Sequence, residues 1–162
     1  MNEHTRILAR AASSLPVTIS ETDYQAKGFH ALLVVESCHD ISALAQALLS
    51  LNYFIGFVTA CHTEPAIQVL YQFARYDVNH RIMIQCPVDE NNSVPTICPV
   101  FQGADWHERE TRDFFGVTFV NHPNMNPFIL DESDRDLKPL LKNEKILKST
   151  ETIFGQGDQH DR

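Results

Sequence analysis

The sequence predicts an α+β fold of two layers. Two segments of alternating hydrophobicity flank a polar turn, and ahead of them a short apolar run is followed by a stretch at helical period. Together these give a mixed, mainly antiparallel sheet of about four strands, with helices packed on it. The periodicity fades after residue 118, so the expected layout is a domain over 1–118 and an extended C-terminal tail over 119–162, partner-bound or partly disordered.

The elements follow in order. Residues 3–14 form a helix, with Ile7, Leu8 and Ala11 on one side. "HALLVVES" (30–37) is a strand apolar on both faces. "DISALAQALLSLN" (40–52) places Ile41, Leu44, Ala45, Leu48 and Leu51 on one helical stripe, with Asp40 as the expected N-cap. "YFIGFVTACH" (53–62) is the next strand. "AIQVLYQFARY" (66–76) puts Ile67, Val69, Tyr71 and Phe73 on one face. "DVNH" turns the chain, and "RIMIQCPV" (81–88) returns antiparallel with Ile82, Ile84 and Cys86 inward. "DENNSVP" is a loop, and "TICPVFQG" a short apolar helix or turn.

Composition narrows the function. Thirteen Lys plus Arg against 21 Asp plus Glu leave a net charge of -8, which disfavours nucleic acid and anionic lipid as direct partners. The apolar runs are far shorter than the ~20 residues of a membrane span, and residues 1–16 lack the apolar core of a secretory signal. A membrane is therefore reached only through a partner. The four cysteines, at 38, 61, 86 and 98, include no C-x-x-C pair. Cys38–His39 and Cys61–His62 are adjacent residues that a strand would send to opposite faces. The expectation is reduced, structural cysteines and no metal.

The chemically dense window is "GADWHERETRDFFGV" (103–117). Asp105 is the expected N-cap, Glu108 completes a capping box, and Gly116 is the stop. Helical spacing pairs Glu108 with Arg112 and Arg109 with Asp113 on a wet face. Trp106, Glu110 and Phe114 share one stripe, so a carboxylate sits among aromatics and must be exposed, paired or neutralised. Three readings follow: Glu110 bonded within the fold, Glu110 at a partner interface, or Glu110 as a general acid or base with His107 or Asp113. The last lacks a phosphate loop or nucleophile motif to support it.

"ADWHERETRDFFGVTFVNHP" resembles the signature of the complex I 30 kDa subunit family, the C subunit of NADH-quinone oxidoreductase. The resemblance rests on Trp106, Glu108, Arg109, Glu110, Asp113, Phe114, Phe115, Gly116, His122 and Pro123, and covers roughly residues 30–142. The chain departs from the family pattern at Asn126, Leu141 and Asn143, where charged residues are usual. Related subunits serve NADH–quinone oxidoreductases and energy-converting [NiFe] hydrogenases, and the departures favour the hydrogenase-type branch.

The resemblance implies a non-catalytic structural subunit of the peripheral arm, on the cytoplasmic side of the cell membrane. It docks the large quinone-site or [NiFe] subunit and adjoins the iron–sulfur subunit. It implies no cofactor in this chain, with iron–sulfur, flavin or [NiFe] centres in the partners. The alternative is a stand-alone regulatory or assembly module that keeps the fold.

Overall fold

The structure, a computed structural model, describes residues 2–142, 147–150 and 153. Nine-residue helix α1 (Glu3–Ala11) opens the chain, capped by the Asn2 side chain accepting from Thr5 N–H. Strand β1 (Val17–Glu21), a short helix α2 (Tyr24–Lys27) and strand β2 (Ala31–Val35) follow, then α3 (Ile41–Ser50) and β3 (Tyr53–Cys61). Strands β4 (Gln68–Arg75) and β5 (Arg81–Pro87) form the hairpin that alternation predicts.

The main sheet has the order β1-β2-β5-β4-β3, antiparallel except where β2 runs parallel to β5. It is mixed and mainly antiparallel as expected, with five strands rather than about four. The added strand, "VTISE", is an edge strand whose side chains are half-buried or exposed, so it lacks the apolar signal that marks the others. Register builds a continuous core row across the sheet: Ile19 opposite Leu33, Leu33 opposite Ile84, Ile84 opposite Tyr71, and Tyr71 opposite Val58. Leu33, Ile84 and Tyr71 are fully buried, and so are Leu8, Leu44 and Leu48 of the helices. Strand β2 buries Ala31, Leu33 and Val35 but leaves Leu32 and Val34 half-buried, so it has one core face and not two.

Two local expectations are corrected. Asp40 makes no side-chain capping bond. Ser37 instead caps a 3₁₀ turn, Cys38–Asp40, that leads into α3. In β3 the register shifts between Ile55 and Phe57. Gly56 sits at this bulge because a Cβ there would meet the Gln72 side chain and carbonyl.

The "SVP" segment, expected as loop, is strand β6 (Ser93–Pro95). It pairs in parallel with β7 (Thr118–Val120), and α4 (Ala104–Phe115) crosses between them. This β–α–β unit sets "TICP" beside "NHP", because Thr96 N–H donates to the Val120 carbonyl.

Candidate functional site

Helix α4 starts at Gly103 without a side-chain cap, so Asp105 lies inside its first turn and not at the N-cap. A carboxylate there still meets the positive helix end favourably. Gly116 closes the helix in the left-handed region (φ 73°), as expected, with Lys138 packed where a Cβ would point.

The charges do not pair at the expected i,i+4 spacing, and the one ion pair within the helix joins the neighbours Arg112 and Asp113. Glu108 is fully buried and reaches back to the preceding loop. One carboxylate oxygen accepts from Ile97 N–H at 2.9 Å. The other accepts from the Thr96 hydroxyl and, at 3.3 Å, from the Cys98 thiol. Burial pushes the Glu108 carboxyl up to about 7, although those three donors pull the other way. The capping-box and Glu108–Arg112 readings are therefore both overturned, because the helix face carrying Glu108 faces the 96–98 loop.

Asp113 is also buried. Its Oδ2 accepts from the amides of Phe128, Ile129 and Leu130 at 2.8, 2.8 and 3.3 Å, and its Oδ1 from Arg112 at 3.3 Å. Burial raises this carboxyl, but the three amides and Arg112 outweigh it and hold Asp113 below its ordinary value. Arg109 does not face Asp113. It donates to the carbonyls of Asn126 and Pro127 at 3.1 and 3.0 Å, and its guanidinium lies 4.9 Å from the Phe128 ring. Asp113 and Arg109 thus gather residues 126–130 onto α4, and Leu140 N–H donates to the Phe114 carbonyl further on.

What remains outward is Trp106, 65% exposed and 5.4 Å from Phe128, and half-buried Glu110. Glu110 makes no hydrogen bond or ion pair with the described residues. Of the two second players in the acid-base reading of Glu110, Asp113 is committed to backbone amides. Phe114 and Phe115 pack against the core. His122 has a fully buried side chain, and its Nε2 lies 3.7 Å from Glu108 Oε2 and 3.4 Å from Asp105 Oδ1. Pro123 is exposed.

Of the divergent positions, Asn126 accepts from Arg109 through its carbonyl, and its side-chain amide donates to Asn124 Oδ1 at 2.8 Å. Leu141 lines a surface cavity of about 550 Å³ with His62, Phe115 and Lys142. Asn143 lies outside the described residues. Thr96 and Cys98 escape sequence reasoning, because nothing in "TICP" alone links it to a helix ten residues on.

The chain is thus an α+β domain whose charged helix turns Glu108 and Asp113 inward on its own loops. A profile of the family described as "Respiratory-chain NADH dehydrogenase, 30 Kd subunit" matches residues 17–150. The chain belongs to that family. Among curated relatives, the NADH-quinone oxidoreductase C subunit of Rhizobium johnstonii is 36% identical over 83 residues, covering 48% of this chain and 42% of that one. Its counterpart from Roseiflexus castenholzii is 38% identical over 81 residues, covering 49% and 46%. The matched stretches thus span less than half the length of these relatives.

Two solved structures share the fold at 20% identity. A chain of the membrane-bound sulfane sulfur reductase, an archaeal respiratory membrane complex, superposes with a TM-score of 0.72, covering 99% of this chain and 96% of that one. A trypsin-resistant fragment of Nqo5 does so at 0.59, covering 74% and 96%. Among the described residues no helix is long and apolar enough to cross a membrane.

Proposed function

We propose that this chain is a non-catalytic docking subunit in the peripheral arm of a complex I-like membrane redox complex. It binds the large quinone-site or [NiFe]-type subunit and adjoins the iron–sulfur subunit, whose centres carry the electrons. It reaches the cytoplasmic face of the membrane through these partners. Relatives that are subunits of NADH-quinone oxidoreductase, and a fold shared with a respiratory membrane complex, support the reading.

One observation carries it: the signature charges Glu108, Arg109 and Asp113 are spent within the fold, while Trp106 and Glu110 on α4 have no polar partner among the described residues. A large exposed aromatic beside an unpaired carboxylate is the composition of an interface anchor.

The test is affinity purification of a tagged copy from detergent-solubilised native membranes. A [NiFe]-type large subunit without flavoprotein assigns the hydrogenase branch, and flavoprotein with a quinone-site subunit assigns the NADH-linked one. Trp106→Ala is expected to weaken recovery of the large subunit by roughly thirtyfold in affinity, about 2 kcal/mol, at an unchanged melting temperature of the free chain. Undiminished recovery in both Trp106→Ala and Glu110→Gln overturns this face as the docking surface.

A further inference from the structure

The buried end of Glu108 is the meeting point of three ligand-type groups. Cys98 Sγ, Glu108 and His122 Nε2 offer ligand atoms that all lie within 4.8 Å of one another. Asp105, one turn before Glu108 on the same helix face, adds Oδ1 at 3.4 Å from His122 Nε2. His122 is 0% exposed in its side chain, yet its Nε2 has no hydrogen-bond partner, and Asp105 Oδ1 is likewise buried and unpartnered. No Lys or Arg among the described residues pairs with either carboxylate, since Arg109 and Arg112 turn to the tail and to Asp113.

Glu108 is a fully buried carboxylate with only His122 beside it as a possible counter-charge, and a cation held between the two, with the Cys98 sulfur, would occupy the unpartnered Nε2 as well. We propose that Cys98, Glu108 and His122 form a three-ligand structural site for one divalent metal ion of the Zn²⁺ type, its fourth position left to water or to Asp105 beside His122.

The separations fit. Metal bonds of about 2.0–2.3 Å at tetrahedral angles set ligand atoms roughly 3.3–3.8 Å apart. Here Cys98 Sγ to Glu108 Oε2 is 3.3 Å and His122 Nε2 to Glu108 Oε2 is 3.7 Å, with Cys98 Sγ and His122 Nε2 within 4.8 Å of each other. Thiolate, imidazole and carboxylate together select Zn²⁺ over Mg²⁺ or Ca²⁺. An outer layer already orients the set. Thr96 accepts from Cys98 N–H at 3.1 Å, so its own proton points to Glu108, and Ile97 N–H fixes the other oxygen.

Asn124 N–H donates to His122 Nδ1 at 3.0 Å, which places the ring proton on Nε2 in the metal-free chain. On binding, the Cys98 thiol proton leaves to solvent, the ring proton moves to Nδ1, and the exposed Asn124 amide turns to water. The site also does what a structural metal does: it ties the 96–98 loop, α4 and the segment after β7 at one point.

The full-length chain, stripped with a chelator, is titrated with Zn²⁺ against a chromophoric competitor and separately with Co²⁺. The expected result is one Zn²⁺ per chain and a Co²⁺ spectrum with tetrahedral bands plus a sulfur-to-metal charge-transfer band. Cys98→Ser removes that band. Thr96→Val keeps it and weakens binding about 10–100-fold, and His122→Gln weakens binding beyond that. No stoichiometric uptake by the wild-type chain overturns the site, as does a Co²⁺ spectrum without the thiolate band. So does uptake that survives both Cys98→Ser and His122→Gln, which would place the ion on other histidines. If His122→Gln does not fold, the wild-type spectrum and its loss in Cys98→Ser decide.

Discussion

His80 shows how one buried side chain sets a response to pH. It is 2% exposed and bonds Tyr53 Oη through Nδ1 at 2.6 Å, and its Nε2 lies 3.3 Å from the Thr5 hydroxyl of α1. Burial, followed by the neighbouring His30, His4 and Arg75, pushes it down to about 4, and Glu21 only weakly opposes them. Between pH 6.5 and about 4 the unfolded chain therefore binds a proton that the folded chain refuses. Stability from this group is intact above pH 6.5 and falls as pH drops through that window, by up to about 3 kcal/mol. Glu108, held up near 7, gains stability over the same window and opposes the fall. The His80 contribution is therefore the difference between wild type and His80→Gln in urea unfolding at pH 7 and pH 4.5, the variant losing less stability on acidification. An equal change in both proteins would remove His80 as its source. Tyr71 makes a second case at this scale: its ring is fully buried in the sheet's core row, but its hydroxyl has no partner. Tyr71→Phe removes an unsatisfied buried group, so it is expected to be neutral or to stabilise by about 1 kcal/mol in the same assay.

At the scale of elements, α4 exposes the limit of pattern reading. Helical spacing names neighbours on the helix's own surface, and on that basis Glu108–Arg112 and Arg109–Asp113 were the expected pairs. The real partners come from outside the helix: Thr96 and Ile97 upstream, and the amides of 128–130 and carbonyls of 126–127 downstream. A backbone partner leaves no trace in residue identity, so no spacing rule could find it. The strands were legible because alternation reports burial directly, as Val69, Tyr71 and Phe73 show. Edge strand β1 was not, because it has too little to bury. The family resemblance marked Glu108 and Asp113 without saying that they face inward. Their roles predict distinct failures. Asp113→Ala frees three amides and should cost about 2–3 kcal/mol, with hydrogen exchange rising first at Phe128, Ile129 and Leu130. Unchanged protection at those amides would remove Asp113 as the tail's anchor. Gly116→Ala forces a left-handed backbone and presses on Lys138, so it should destabilise the same segment by about 1 kcal/mol.

At the scale of the whole molecule, the segment after β7 is held by few bonds and shows much apolar surface. Asp113, Arg109 and the Leu140–Phe114 bond fasten its near part, and Lys142 N–H to His62 Nδ1 and the pairing of Lys148 and Thr150 with Glu64 fasten its far part, leaving 131–137 the least held. The turn at Glu132–Asp134 buries none of its residues, and its Arg135–Glu132 pair is exposed and contributes little. Val120, Ile129, Leu137, Leu140 and Leu141 remain exposed alongside Trp106. A segment with few intrachain bonds opens at low free energy, and one with this apolar content gains by closing on another surface. We infer that residues 119–142 rest on α4 in the free chain and become fully ordered against the large subunit, extending the face that Trp106 begins. Limited proteolysis checks this. In the free chain the first cuts are expected between 131 and 137, and in the purified complex those bonds should resist cleavage at the same protease ratio. Asp113→Ala should accelerate free-chain cutting and leave the complex protected, since the partner then supplies the order that the anchor gave up. Equal cleavage of the wild-type chain, free and assembled, would mean that the tail takes no part in docking and that α4 alone presents the interface.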